Sequence, residues 1–183
     1  MNAESKTKLV KTGNLVANVL LIIIVVVAFG LGLKYFFFAP SLESFESNHF
    51  PAGASVQSPA ISDFITSGDT IVLALDVECE YCHESTSFYQ RLADLSSNKG
   101  NKVRVVGLFK NPESDVRNFL KSKGLTIEYK ANVNLTREKF DLTPTILWIA
   151  ADGQVKGSFE GYLSESLQTA LLERIELSLG MGS

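Results

Sequence analysis

Apolar residues along this chain fall into one long block near the amino terminus and a series of short blocks beyond it, and the two arrangements predict different things. From Leu15 to Leu33 no residue carries a charge, and Leu, Ile and Val dominate. About 20 apolar residues rising about 1.5 Å each match a hydrocarbon layer about 30 Å thick. A core helix is rarely apolar on every face. The block therefore predicts a membrane-spanning helix over residues 15–38, with Lys34 reaching toward the headgroups and Tyr35 to Phe38 at the interface. It is longer than the apolar segment of a cleaved leader, and Phe37-Phe38-Ala39-Pro40 lacks a small-residue cleavage pattern, so an uncleaved anchor is expected. Lys6, Lys8 and Lys11 precede the span against Glu4 alone, while Lys34, Glu43 and Glu46 follow it. That asymmetry keeps residues 1–14 in the cytoplasm as a tail and puts the rest on the outer, periplasmic side of a cytoplasmic membrane.

Residues 39–57 are rich in Ser, Pro, Ala and Gly and predict a linker, with His49 in an exposed loop. Residues 58–183 then alternate strand and helix signals. Ile71 to Leu75 suits a strand buried on both faces; Phe88, Leu92 and Leu95 recur at i, i+4 and i+7 as one helix face; Lys102 to Phe109 supplies a second buried strand. Strand, helix and strand of this length predict a parallel βαβ unit. Asn111 is expected to cap a further helix with Pro112 at its first position, Val116, Phe119 and Leu120 facing inward and Gly124 ending it. Ile127 to Tyr129 reads as an edge strand, and Asn134 as the cap of a brief helix to Phe140. Thr145 to Ala150, Asp152-Gly153 and Gln154 to Phe159 form an antiparallel hairpin containing Trp148. Ser164 opens a last helix with Leu167, Leu171, Ile175 and Leu179 on its buried face. The sum is an α/β domain with a mixed sheet.

Composition narrows the chemistry. A net charge of −3 from 17 basic and 20 acidic residues carries no nucleic-acid footprint. The chain has two cysteines, in Cys79-Glu80-Tyr81-Cys82. This spacing brings both sulfurs to one end of a helical turn, where free amides stabilise a thiolate and the pair can cycle between dithiol and disulfide. As a static disulfide, so short a loop would restrict the unfolded chain very little. Zinc needs four ligands, and beyond the cysteines only His49 and His83 offer soft donors, so no metal site is expected. His83 does complete a Cys-x-x-Cys-His signature of c-type haem attachment. That rival, an anchored cytochrome c, is disfavoured by the strand before the motif and by distal-ligand candidates limited to His49 and Met181.

The order strand, Cys79-Glu80-Tyr81-Cys82, helix, strand, helix, then Thr143-Pro144-Thr145 before a hairpin and a closing helix resembles the thioredoxin superfamily over nearly all of residues 58–179. Together with the predicted anchor, it looks most like the anchored TlpA-like and ResA-like redoxins. The resemblance implies a thioredoxin-like fold, a central mixed sheet flanked by helices, and a cis bond before Pro144, with the Thr143 backbone facing the thiols and offering strand-like hydrogen bonds to a substrate chain. It further implies that Cys79 attacks a substrate disulfide and Cys82 resolves the mixed disulfide, with no cofactor beyond the cysteine pair. Two departures stand out. Glu78 occupies the place of the family's tryptophan, and Leu73 the place of thioredoxin's buried acid; Asp76, Glu78, Glu80 and Glu84 are alternative acids, none singled out as general base.

Glu78 and Glu80 flank Cys79 and oppose its thiolate, which removes the advantage of a strong oxidant. The expected activity is therefore reduction of disulfides in exported proteins, with electrons from a transmembrane thiol donor and the bilayer as a further partner. A disulfide-forming oxidase or isomerase of the same fold and a non-catalytic binding scaffold are the remaining alternatives.

Overall fold

In the computed structural model, residues 20–27, 29, 49–65, 68–99 and 102–180 are described. Chain contacts separate residues 1–40 from residues 41–183. In the first unit, residues 20–27 are helical, with their apolar side chains exposed. No helix among the described residues is long and apolar enough to cross a membrane. The rest of the expected span, the tail 1–14 and the expected linker as far as residue 48 lie outside the described residues.

In the second unit, the first apolar run becomes β1 (Asp69–Leu75), buried at all seven positions. A strand covered on both faces needs apolar side chains at odd and even positions alike. Ile71, Leu73 and Leu75 face one layer and Val72 and Ala74 the other. β2 (Val103–Phe109) lies parallel to β1, pairing Asp69 with Val103 through Leu75 with Phe109. On the other side β4 (Thr145–Ile149) runs antiparallel to β1, and β5 (Val155–Glu160) closes the hairpin. β3 (Glu128–Lys130) is a short parallel edge on β2, giving the order β3-β2-β1-β4-β5.

Between β1 and β2 the chain forms α1 (Glu80–Glu84) and α2 (Thr86–Lys99); α3 (Glu113–Lys123) follows β2, and α4 (Glu165–Ser178) follows β5. Phe88 and Leu92 of α2, Val116 and Phe119 of α3, and Leu167, Leu171 and Ile175 of α4 pack with the odd residues of β1. Each such side chain, fully buried, contributes about 1.5–3 kcal/mol. The opposite face is covered by irregular segments carrying Phe50, Ile61, Leu135 and Phe140. A polar cluster ties the hairpin to β1: Asp69 Oδ2 accepts from Trp148 Nε1 at 2.8 Å and from Lys156 Nζ at 2.7 Å.

Several local expectations differ from what is observed. The helix after β2 starts one residue late, with Pro112 in the extended capping position, because the Asn111 side chain is engaged by the turn after β1. Gly124 ends that helix as expected, at φ 62°. Residues 134–140 form turns instead of a helix. Asn134 Oδ1 does accept the Arg137 amide at 3.0 Å, but Lys139 adopts φ 68°, which breaks the right-handed path and sends Phe140 inward against Phe50. Ser164 occupies the capping position of α4, yet its hydroxyl pairs with Ser166. The end of the expected linker packs on the domain: Phe50 is in the core, and the Gly53 amide donates to Val155 O at 2.8 Å.

Candidate active site

β1 ends at Leu75, and four residues later Cys79 caps α1 in extended conformation. The intervening turn has few backbone partners of its own, so side chains supply them. Asn111 Oδ1 accepts the Val77 amide at 3.0 Å, Asp76 Oδ1 accepts the Glu78 amide at 3.0 Å, and Asp76 O accepts the Cys79 amide at 3.1 Å. His83 Nε2 lies 2.7 Å from Val77 O, with its ring edge-on to Phe119. The turn that delivers Cys79 is thereby held from the β2–α3 loop and from α1.

The two sulfurs differ in environment. Cys79 is half-buried, and its thiol donates to Thr143 O at 3.3 Å; Cys82 is fully buried, and both are free thiols. Burial pushes the Cys82 thiol far above its ordinary range; a hydrogen bond from the Asp76 backbone only partly offsets this, and the neighbouring Cys79 adds to the rise. Such a thiol keeps its proton until a nearby sulfur becomes its target. Tyr89, fully buried in the same layer, is likewise pushed up by burial and stays a neutral phenol.

The Thr143–Pro144 bond is cis, Pro144 is buried and Thr143 half-buried, so the expected carbonyl does face the thiols. Glu78, Glu80 and Glu84 are exposed, and Glu78 and Glu80 flank Cys79 as expected. Asp76 alone of the four candidate acids is buried. Burial opposes its ionisation, but hydrogen bonds from Lys110, the Glu78 amide and Asn111 outweigh that and hold its carboxyl below the usual range. Lys110 Nζ is 2.6 Å from Asp76 Oδ2. Of the residues weighed for haem or metal, His83 is tied back to Val77, His49 pairs with Asp141 at 3.1 Å, and Met181 lies outside the described residues. No cluster of metal-ligating side chains occurs among the described residues.

Two parts of the site escaped the sequence reading. Lys110 and Asn111 were legible only by aligning the ends of β1 and β2: with Leu75 paired to Phe109, the next residues, Asp76 and Lys110, are opposite charges side by side. The second part is an apolar collar. Tyr81 and Tyr162 lie with ring centroids 5.8 Å apart, and Leu142 directly precedes Thr143; all three are exposed. Apart from residues 20–27 and 29, only Leu177 joins them as an exposed large apolar side chain among the described residues.

No sequence-family model and no curated protein matches the chain. Solved structures do. A proposed thiol:disulfide interchange protein DsbE from Chlorobium tepidum superposes with a TM-score of 0.60 at 17% identity, covering 72% of this chain and 99% of that one. A secreted Mycobacterium tuberculosis disulfide oxidoreductase homologous to Escherichia coli DsbE gives 0.53 at 13% identity, covering 70% and 96%. A thiol-disulfide isomerase from Corynebacterium glutamicum gives 0.52 at 13%, covering 69% and 92%. At these identities the likeness establishes architecture, and the fold of this chain is thioredoxin-like.

Proposed function

We propose that this chain is a thiol-disulfide oxidoreductase that reduces disulfides of exported proteins through Cys79 and Cys82, held by residues 15–38 at the outer face of a cytoplasmic membrane. The observation that carries the reading is the asymmetry of the sulfurs: one half-exposed at a helix start against the Thr143 carbonyl, the other buried three residues on. The Cys79 thiolate attacks one sulfur of a substrate disulfide; the substrate S–S bond breaks and its first thiolate leaves. Cys82 then attacks Cys79, its proton passing to the second departing substrate thiolate. Two electrons move from the protein dithiol to the substrate, and an external dithiol carrier in the membrane restores the pair. Thr143 O, next to the sulfur, and the exposed Tyr81, Leu142 and Tyr162 suit an extended polypeptide carrying the disulfide. Glu78 and Glu80 disfavour the thiolate and incline the pair toward reduction.

Trapping tests the roles. Cys82→Ser should accumulate mixed disulfides through residue 79, and Cys79→Ser should abolish them; trapping through Cys82 would reverse the assignment. The reduction potential should lie nearer about −270 mV than the roughly −120 mV of a strong oxidant. A value at the oxidising end would turn the reading to the oxidase. Alkaline phosphatase fused after Ser183 should be active in cells, and an inactive fusion would overturn the topology. The engagement of His83 with Val77 favours thiol exchange over haem attachment. Peroxidase staining after expression with cytochrome c maturation should be blank.

A further inference from the structure

The ion pair beside the thiol turn has no part in the steps above. Asp76 and Lys110 stand one residue beyond the paired ends of β1 and β2. The Asp76 side chain is 11% exposed and that of Lys110 50%. Asp76 is also built into the turn that ends on the reactive sulfur, through its carbonyl to the Cys79 amide and its carboxylate to the Glu78 amide. Asn111 Nδ2 donates to the same carboxylate at 3.1 Å. The hydrogen bond and attraction of Asp76 raise the Lys110 ammonium, and Glu78 and Cys79 add at longer range. Glu78, Glu80 and Glu84, the other charges of this segment, are exposed, so solvent weakens their pull more than that of the largely buried Asp76.

We propose that Asp76 and Lys110 are positioning residues whose opposed charges set the thiol–disulfide balance of Cys79 and Cys82, the ammonium favouring the Cys79 thiolate and the carboxylate disfavouring it. This deepens, and rests on, the reading of the pair as a disulfide exchanger. Stabilising the thiolate stabilises the dithiol state and makes the pair more oxidising. Removing the carboxylate leaves Lys110 uncompensated next to the turn that carries Cys79; removing the ammonium leaves a largely buried carboxylate within that turn. The two changes therefore displace the equilibrium in opposite directions. A bracing role alone would not, since both changes break the same contact. Asp76→Asn keeps an oxygen for the Glu78 amide, and Glu78, Glu80 and His83 are unchanged throughout.

The test equilibrates the full chain, in detergent, with glutathione and glutathione disulfide; protein dithiol and glutathione disulfide give protein disulfide and two glutathione thiols. Alkylation and mass measurement read the reduced fraction. Asp76→Asn should move the equilibrium constant at least threefold toward the dithiol and Lys110→Gln at least threefold toward the disulfide. The double variant should fall between them. Shifts of the same sign, or none, overturn the proposal. Lys110→Gln, at a half-exposed side chain, decides by its sign alone if Asp76→Asn does not fold. A wild-type chain that forms no Cys79–Cys82 disulfide at any ratio overturns the exchange reading, and the proposal with it; a wild type that titrates while the variants do not diverge overturns the proposal alone.

Discussion

Replacing Gly107 by Ala should destabilise the domain by an amount the packing around β2 sets. Gly107 pairs with Leu73 on one side and Tyr129 on the other. A Cβ there would lie 2.5 Å from Phe109 Cε2 and 3.2 Å from Ile127 Cδ1. The Phe109 ring is fully buried, with Phe119 at 6.0 Å and Tyr129 at 6.2 Å between centroids, so it has no open side to move into. Overpacking of this kind costs about 1–3 kcal/mol. Relief of the strand-glycine entropy returns about 0.5–1 kcal/mol. The net expectation is a loss of about 1–2 kcal/mol, or about 4–8 °C in Tm for a domain of this size. Scanning calorimetry measures it, and a cycle with Phe109→Leu isolates the clash. In the double variant the two losses should fall short of their sum by at least about 1 kcal/mol. Simple additivity, or a Gly107→Ala chain as stable as wild type, would refute the assignment of the cost to Phe109.

Three further outcomes are expected. Leu142→Ala should lower kcat/KM about fivefold toward a disulfide-bonded peptide, the equivalent of about 1 kcal/mol of apolar contact, and leave reduction of glutathione disulfide unchanged; equal losses on both substrates would dismiss the collar as a substrate contact. The Asp76 carboxyl is held below its usual range, so its ionised form stabilises the fold above the unfolded value of about 3.9, and that contribution is lost as pH falls through the folded value. Urea midpoints of wild type and Asp76→Asn should therefore converge from about pH 5 to about pH 2, and parallel curves would contradict this. Lys156→Met strands the Asp69 carboxylate with Trp148 as its remaining partner and should cost about 1–3 kcal/mol by urea unfolding; Asp69→Asn in the same chain should recover part of it, and no recovery would remove the charge from the explanation.

The strands were legible because β1, β2 and β4 are buried on both faces and carry the apolar runs Ile71 to Leu75, Val105 to Phe109 and Ile146 to Ile149. The helix faces were legible from 3.6-residue spacing, and the thiol motif from its position at a strand end. What was not legible depended on which of two partners a short polar side chain takes. Asn111 beside Pro112 has the sequence of a helix cap, yet its amide serves Val77 and Asp76, 34 and 35 residues away in the chain. Asn134 does make a local capping bond, but the positive φ at Lys139, which no neighbour in the sequence announces, ends the turn. The collar was hidden for another reason: Tyr81, Leu142 and Tyr162 lie in three separate segments, and single exposed apolar residues are ordinary until a fold gathers them.

The antiparallel pairing of β1 with β4 also governs where this chain tolerates change. Ala74 is opposite Thr145, so the strand leading out to Cys79 and the strand leading in from Thr143 meet at one end of the sheet. A slip of two residues would preserve which side chains face the core, yet shift one strand along the other by about 7 Å. The fold would survive such a slip better than the chemistry, because the 3.3 Å contact between sulfur and carbonyl is a reading of that single alignment. Insertions at the 150–154 turn lengthen a loop at the far end of β4 and leave the alignment alone. An insertion between Thr143 and Thr145, however small, would separate the carbonyl from the thiol in a molecule that otherwise looks intact.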